Sequence, residues 1–117
     1  MIIEKGKVYG YSYEELQAMG KSYKDVWGDI EVDNKDLELS VWDIIKMFRN
    51  QYLIIRVTQC EDRDQIYCFD YGCVYFYNCN EDTLYGKVEE LNKKYNTEDF
   101  ISYSIFDPRW AGDTLWF

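Results

Sequence analysis

The sequence contains no histidine. That removes the commonest general base and the commonest metal ligand, and it excludes Ser-His-Asp and Cys-His catalysis as they are normally built. There is one proline, Pro108, and no glycine- or serine-rich stretch, so no linker or low-complexity segment divides the chain. Neither a phosphate-cradling P-loop nor a dinucleotide-binding glycine fingerprint occurs. No apolar run reaches the length that crosses a bilayer. The opening Met1-Ile2-Ile3-Glu4-Lys5 is too short and too soon charged for a signal peptide, so a cytoplasmic protein, of a bacterium or an infected host cell, is expected.

Basic charge is also scarce. Thirteen Lys and Arg face 22 Asp and Glu, for a net charge of −9 and a pI near 4.4. Phosphate backbones and anionic membranes need cationic neutralisation, so direct binding to nucleic acid or membrane is disfavoured. A basic protein surface is the complementary partner, and nucleic-acid-handling proteins carry the commonest ones. Solubility alone also accounts for such a charge. The four cysteines, Cys60, Cys68, Cys73 and Cys79, show no C-x-x-C spacing and no secretory context. Reduced, partly buried thiols are expected rather than disulfides, with a four-thiolate zinc site as the formal alternative.

What is present is aromatic and periodic. With 117 residues, 47% of them hydrophobic and 12 of them Tyr, the chain can build one modest core over residues 1–117. Residues Ile2 to Tyr9 read as a short strand or an ordered arm. Ser12 and Glu15 form a capping box ahead of Leu16 and Met19, and Gly20 ends that short helix. Ser40 caps a second helix over Val41 to Asn50, with Val41, Ile44, Ile45 and Phe48 on one face. Tyr52 to Thr58 is nearly continuous in apolarity, as a central strand is. Ile66 to Tyr71 and Val74 to Tyr77 read as two further strands turning at Gly72. Asn80 caps a helix over Glu81 to Tyr95, whose stripe is Leu84, Val88, Leu91 and Tyr95. Ile101, Tyr103 and Ile105 alternate as a last strand. The fold class that follows is α+β, an antiparallel sheet of about four to six strands with two to three helices packed mainly on one face.

The segment Asp29 to Leu39 alternates strictly on both sides of Asn34-Lys35. Ile30, Val32, Leu37 and Leu39 take the apolar positions. Asp29, Glu31, Asp33, Asp36 and Glu38 take the polar ones, which predicts two short strands, a hairpin in one arrangement, with an acidic outer face. A polar loop leading into the helix fits the same residues, as does an edge kept soluble by charge. Alternate strand residues lie roughly 6.5–7 Å apart, near the spacing of successive phosphates on one strand. The candidate partner-binding residues are therefore Asp29, Glu31, Asp33, Asp36 and Glu38, with Asp25 beside them and Trp27 and Trp116 as aromatic anchors. Trp116 and Phe117 also suit contact with a second copy, as in a homodimer. Asp29, Glu31 and Asp33, or Asp62 and Asp64, have carboxylate spacing that a divalent cation can use, but the EF-hand pattern fails. No catalytic residue, metal or cofactor is assigned.

The run Leu37-Glu38-Leu39-Ser40-Val41-Trp42-Asp43-Ile44-Ile45, followed by the Tyr52 strand and the Asp70-Tyr71-Gly72 turn, resembles the small acidic accessory proteins of phages and conjugative elements in Gram-positive bacteria, among them anti-CRISPR and antirestriction proteins. The likeness covers residues 37–79 and is one of pattern. It implies an inhibitor of a host nuclease, such as a CRISPR effector, that occupies the nucleic-acid groove, and it assigns no residue a role. The competing expectations are an immunity protein that neutralises a cognate toxin, a carboxylate-based metal binder or enzyme, and an assembly subunit.

Overall fold

In the computed structural model, which describes residues 1–107, the chain is α+β. Five strands form one antiparallel sheet: β2 (Ile30–Glu31), β3 (Glu38–Ser40), β5 (Gln51–Gln59), β6 (Tyr71–Tyr77) and β7 (Phe100–Ile105). A separate parallel pair joins β1 (Tyr9–Gly10) to β4 (Phe48–Arg49). The helices are α1 (Tyr13–Met19), α2 (Val41–Met47) and α3 (Glu81–Lys94). Trp110, Phe117 and Trp116, the last an expected aromatic anchor, lie outside the described residues.

The central strand is β5, as its unbroken apolarity predicts. Leu53, Ile55 and Val57 join one core cluster, and Ile54 joins the other. β6 and β7 flank it, and α3 connects the two by crossing over β5. The helices divide between the two faces. Ile44 and Met47 of α2 pack with Leu53, Ile55 and Val74, while Leu84 of α3 packs with Ile54, Cys73 and Phe100. A strand apolar on both faces requires a cover on each. Between Ile54 and Ile55 the pairing with β6 shifts by one residue, so Tyr75 is extra. This bulge lets Tyr75 and Phe76 both join the α3-side cluster.

Helix ends follow their capping residues. Ser12 accepts from the Glu15 N–H at 3.1 Å in a complete capping box, and Gly20 closes α1 at φ 68°. Ser40 accepts from the Asp43 N–H at 3.1 Å, and Asn80 from the Asp82 N–H at 2.9 Å. Some expectations fail. Met19 is exposed rather than on the inner face of α1. Helix α2 stops at Met47, and Phe48 and Arg49 turn extended to meet β1, so Met47 is buried and Ile45 faces outward. Ile66 to Tyr71 is not a strand. Arg63–Cys68 forms 3-10 turns, and β6 starts only at Tyr71. Gly72 is accordingly no turn residue. It is buried within β6, where a Cβ would sit 2.7 Å from Ile55 Cγ2 and 3.1 Å from the Arg56 carbonyl oxygen. The glycine permits close approach of two strands.

The acidic segment makes no hairpin. β2 and β3 both pair with β6, end to end along the same edge, Glu31 opposite Phe76 and Glu38 opposite Cys73. Residues 32–37 loop away between them, turned by Leu37 N–H to the Asn34 carbonyl at 3.2 Å. The ordered N-terminal arm then covers β2. Asn34 grips the Ile3 backbone both ways, at 3.1 and 2.8 Å, and buries Ile3 in the core.

Gln51, buried at the start of β5, donates to the Tyr9 carbonyl at 3.1 Å and accepts from the Asn78 N–H at 2.7 Å. Gln51→Leu strands both backbone groups without partners. The expected cost is about 2–4 kcal/mol, read as a lower urea midpoint at unchanged slope. Ser104→Ala, on the exposed edge of β7, should stay within about 0.5 kcal/mol.

Candidate functional site: a carboxylate-rich end of the sheet

The predicted acidic residues separate into two groups once their contacts are traced. Asp25 is a local cap, accepting from the Ser22 N–H at 2.8 Å. Asp29 is structural. It sits at φ 42°, where Asp is among the few residues tolerated. Its carboxylate accepts from the Asn80 N–H at 2.9 Å, at the start of α3, and faces Lys87 at 3.7 Å. Glu31 is bound by Lys35, whose hydrogen bond and charge hold the Glu31 carboxyl below its ordinary value. Asp33 pairs with the N-terminal ammonium at 2.9 Å. Trp27 is half-buried beside Tyr23, ring centroids 6.0 Å apart, and its buried Nε1 has no partner. These residues stabilise the fold around β2, and they do not form a continuous row.

Asp36 and Glu38 are different. Both are exposed, and no ion pair among the described residues reaches either. Glu38 accepts from the Thr58 hydroxyl at 2.6 Å, across the end of the sheet. The register explains what else gathers there. Ser40 pairs with Tyr71 and Tyr71 with Gln59, so the ends of β3, β6 and β5 stand side by side. The loop between β5 and β6 leaves from this same end, bringing Glu61, Asp62, Asp64 and Asp70, all exposed. Six carboxylates thus share one end of the molecule, and no ion pair among the described residues reaches any of them. Of the six, only Asp36 and Glu38 are among the sequence-predicted partner-binding residues; the four from the β5–β6 loop are not.

The cations nearby are already engaged. A groove of about 570 Å³ opens over the uncovered part of the α3-side face, with Arg56, Cys73 and Tyr75 among its lining. Arg63 pairs with Asp99 at 2.5 Å, and Arg56 lies 4.0 Å from the same carboxylate. The Arg56 guanidinium also stacks 5.2 Å from the Tyr95 ring centre and 5.4 Å from that of Phe100. Burial alone would raise the Asp99 carboxyl. The hydrogen bonds from Thr97 and Arg63 and the charges of Arg63 and Arg56 outweigh it and hold the Asp99 carboxyl below its ordinary value. At the groove floor burial raises the Cys73 thiol, helped by Glu38 and Asp36. Burial, with the Asp29 charge, pushes Cys79 up to about 12. All four cysteines are free, and Cys68 is the exposed one. Among the described residues no three His, Cys, Asp or Glu side chains come together as metal ligands. No helix there is long and apolar enough to cross a membrane.

Comparison with family models, with curated proteins and with solved structures returns no match.

Two outcomes follow from this division. Asp29→Ala removes a charged hydrogen bond at a left-handed position and should cost about 2 kcal/mol of unfolding free energy, whereas Asp36→Ala should change it by less than about 0.5 kcal/mol. Because the folded-state pKa of Asp99 is depressed, its contribution is complete above the unfolded value and is lost as pH falls through the folded one. Unfolding midpoints measured from about pH 5 to about pH 2 should show this loss, and Arg63→Ala should flatten it.

Proposed function

We propose that this chain is a non-enzymatic inhibitor that docks its carboxylate-rich end on a basic protein surface, of the kind a nucleic-acid-binding nuclease such as a CRISPR effector presents. The observation that supports it is the set of six exposed, unpaired carboxylates held at one end of the sheet. Around β2 and the start of β7 the acids are paired instead: Asp29 with Lys87, Glu31 with Lys35, Asp33 with the N-terminus, Asp99 with Arg63. Asp82, Glu89, Glu90 and Glu98, on and after α3, are also exposed and outside any ion pair among the described residues, but Lys87, Lys93 and Lys94 are interspersed with them. Left unpaired, Asp36, Glu38, Glu61, Asp62, Asp64 and Asp70 present a concentrated negative potential, which speeds encounter with a cationic groove and selects against anionic partners.

Presenting carboxylates to a basic groove competes with the phosphates that groove normally holds, so inhibition needs no chemistry from this chain. The acids lie on a loop and on strand ends rather than along one extended strand. The reading is one of charge and shape at a sheet end, not of evenly spaced phosphate mimicry along a hairpin.

The test is affinity capture from a nuclease-rich bacterial lysate at about 50 mM and about 500 mM salt, with mass spectrometry of what is retained. Nucleic-acid-binding proteins should be held at low salt and released at high salt. The variant Asp36→Lys/Glu61→Lys/Asp64→Lys/Asp70→Lys should lose them while keeping its unfolding midpoint. Equal capture by wild type and folded variant would remove the proposed face.

A further inference from the structure

Trp42 is the most exposed large hydrophobic side chain of the described residues, with 69% of its surface in solvent. It makes no ring stacking or cation–π contact there. Its position explains the exposure. In α2 the inward residues are Ile44 and Met47, and Trp42 falls on the opposite stripe with Ile45, which is also exposed. A bare indole face is costly to leave in water and is the aromatic surface a cation binds best.

The indole also stands at the acidic end. The N–H of Val41, its neighbour in the chain, donates to the Asp70 carbonyl at 3.0 Å. Ser40, the cap of α2, pairs with Tyr71, and Glu38 lies two residues earlier on β3. The other charges of this turn are Asp43, which faces Lys5 at 3.3 Å, and Lys46, one helical turn on. Glu38 itself turns to the α3-side face with its partner Cys73, so the acid whose backbone joins the start of α2 is Asp70. An unpartnered indole on a helix that starts from this acidic end matches one side chain better than any other. A guanidinium can lie flat on the ring while its edge N–H groups reach carboxylates, whereas an ammonium is a compact, strongly hydrated point charge.

We infer that Trp42 is the anchor of the docking surface and that it receives an arginine of the basic partner, whose edge is turned toward the acidic strand end that carries Asp70. This rests on the proposed docking of the acidic end, and it adds which partner side chain is selected and which residue selects it. Trp27, the indole favoured by sequence position, is half-buried and cannot serve in this way.

The experiment uses two probes, a nona-arginine and a nona-lysine peptide of equal charge. Binding to the whole chain is followed by calorimetry and by the indole N–H signals in two-dimensional NMR, the Trp42 signal being assigned with Trp42→Phe. The arginine peptide should bind about three- to fivefold more tightly than the lysine peptide at equal salt, and should move the Trp42 indole signal. Trp42→Ala should erase the preference while both peptides still bind with unchanged salt dependence. Because Trp42 lies outside the core, the variant should keep the wild-type unfolding midpoint, which is measured alongside. If both peptides bind and the preference is absent in wild type or survives in Trp42→Ala, the inference is overturned and the acidic docking reading stands. If neither peptide binds at low salt, both are overturned.

Discussion

Asn50 and Gln51 are the buried polar side chains among the described residues, and the path of the chain depends on them. They sit where α2 and the short β4 give way to the central strand. Asn50 turns the backbone at φ 52°. Its carboxamide donates to the Tyr11 carbonyl at 2.9 Å and accepts from the Asp107 N–H at 2.7 Å. Gln51 reaches the Tyr9 carbonyl and the Asn78 N–H. Two adjacent amides thus tie the first fifth of the chain, the exit of β6 and the second residue after β7 to the start of β5. In a low-dielectric interior such groups are tolerated only when fully bonded, so they fix the arrangement of the segments they join. Gly10 fits against this clamp because a Cβ there would lie 2.4 Å from Gln51 Nε2.

That clamp decides how the negative charge is distributed. With Asn78 fixed by Gln51, its carbonyl accepts from the N–H groups of Gly28 and Asp29. Asp29 is thereby set against the start of α3, where a carboxylate bonds an otherwise unpaired N–H and favours the helix dipole. The arm from Met1 to Ile3 lies along residues 31–34 and neutralises Asp33. Asp29, Glu31 and Asp33 near this end of β6 are therefore engaged within the fold. At the other end the carboxylates of Asp36, Glu38, Glu61, Asp62, Asp64 and Asp70 are exposed and outside any ion pair among the described residues. Charge density at that end is a consequence of topology more than of local composition.

Much of the fold is legible in the sequence because its signals are local. The Ser12–Glu15 box, the Leu84–Tyr95 stripe and the unbroken apolarity of residues 52–57 each report a hydrogen-bonding or burial requirement within one element. Alternation also placed Val32 and Leu39 correctly in the core. What was not legible depends on distant partners. Ile66 to Phe69 has strand-like composition, yet Phe69 stacks edge-on against Tyr103 and Ile66 packs on the core from a 3-10 turn. Period two in residues 29–39 cannot say that both strands pair with β6 instead of each other. No spacing rule links Asp29 to Lys87, or Asp33 to the N-terminus, so the acids that serve the fold look the same in sequence as those left free. For the same reason the exposed indole was sought at Trp27, when the inner face of α2 pushes Trp42 outward.

The proposed docking surface is the sheet end where unpaired carboxylates gather, with Trp42 exposed on the helix that leaves it. Hydrogen–deuterium exchange on the chain, free and bound to a captured basic nuclease, measures this directly. The account predicts slowed exchange in residues 36–42 and 60–71, with α3 unchanged. Slowing confined to α3 or to β7, with the acidic end exchanging as in the free chain, would contradict it.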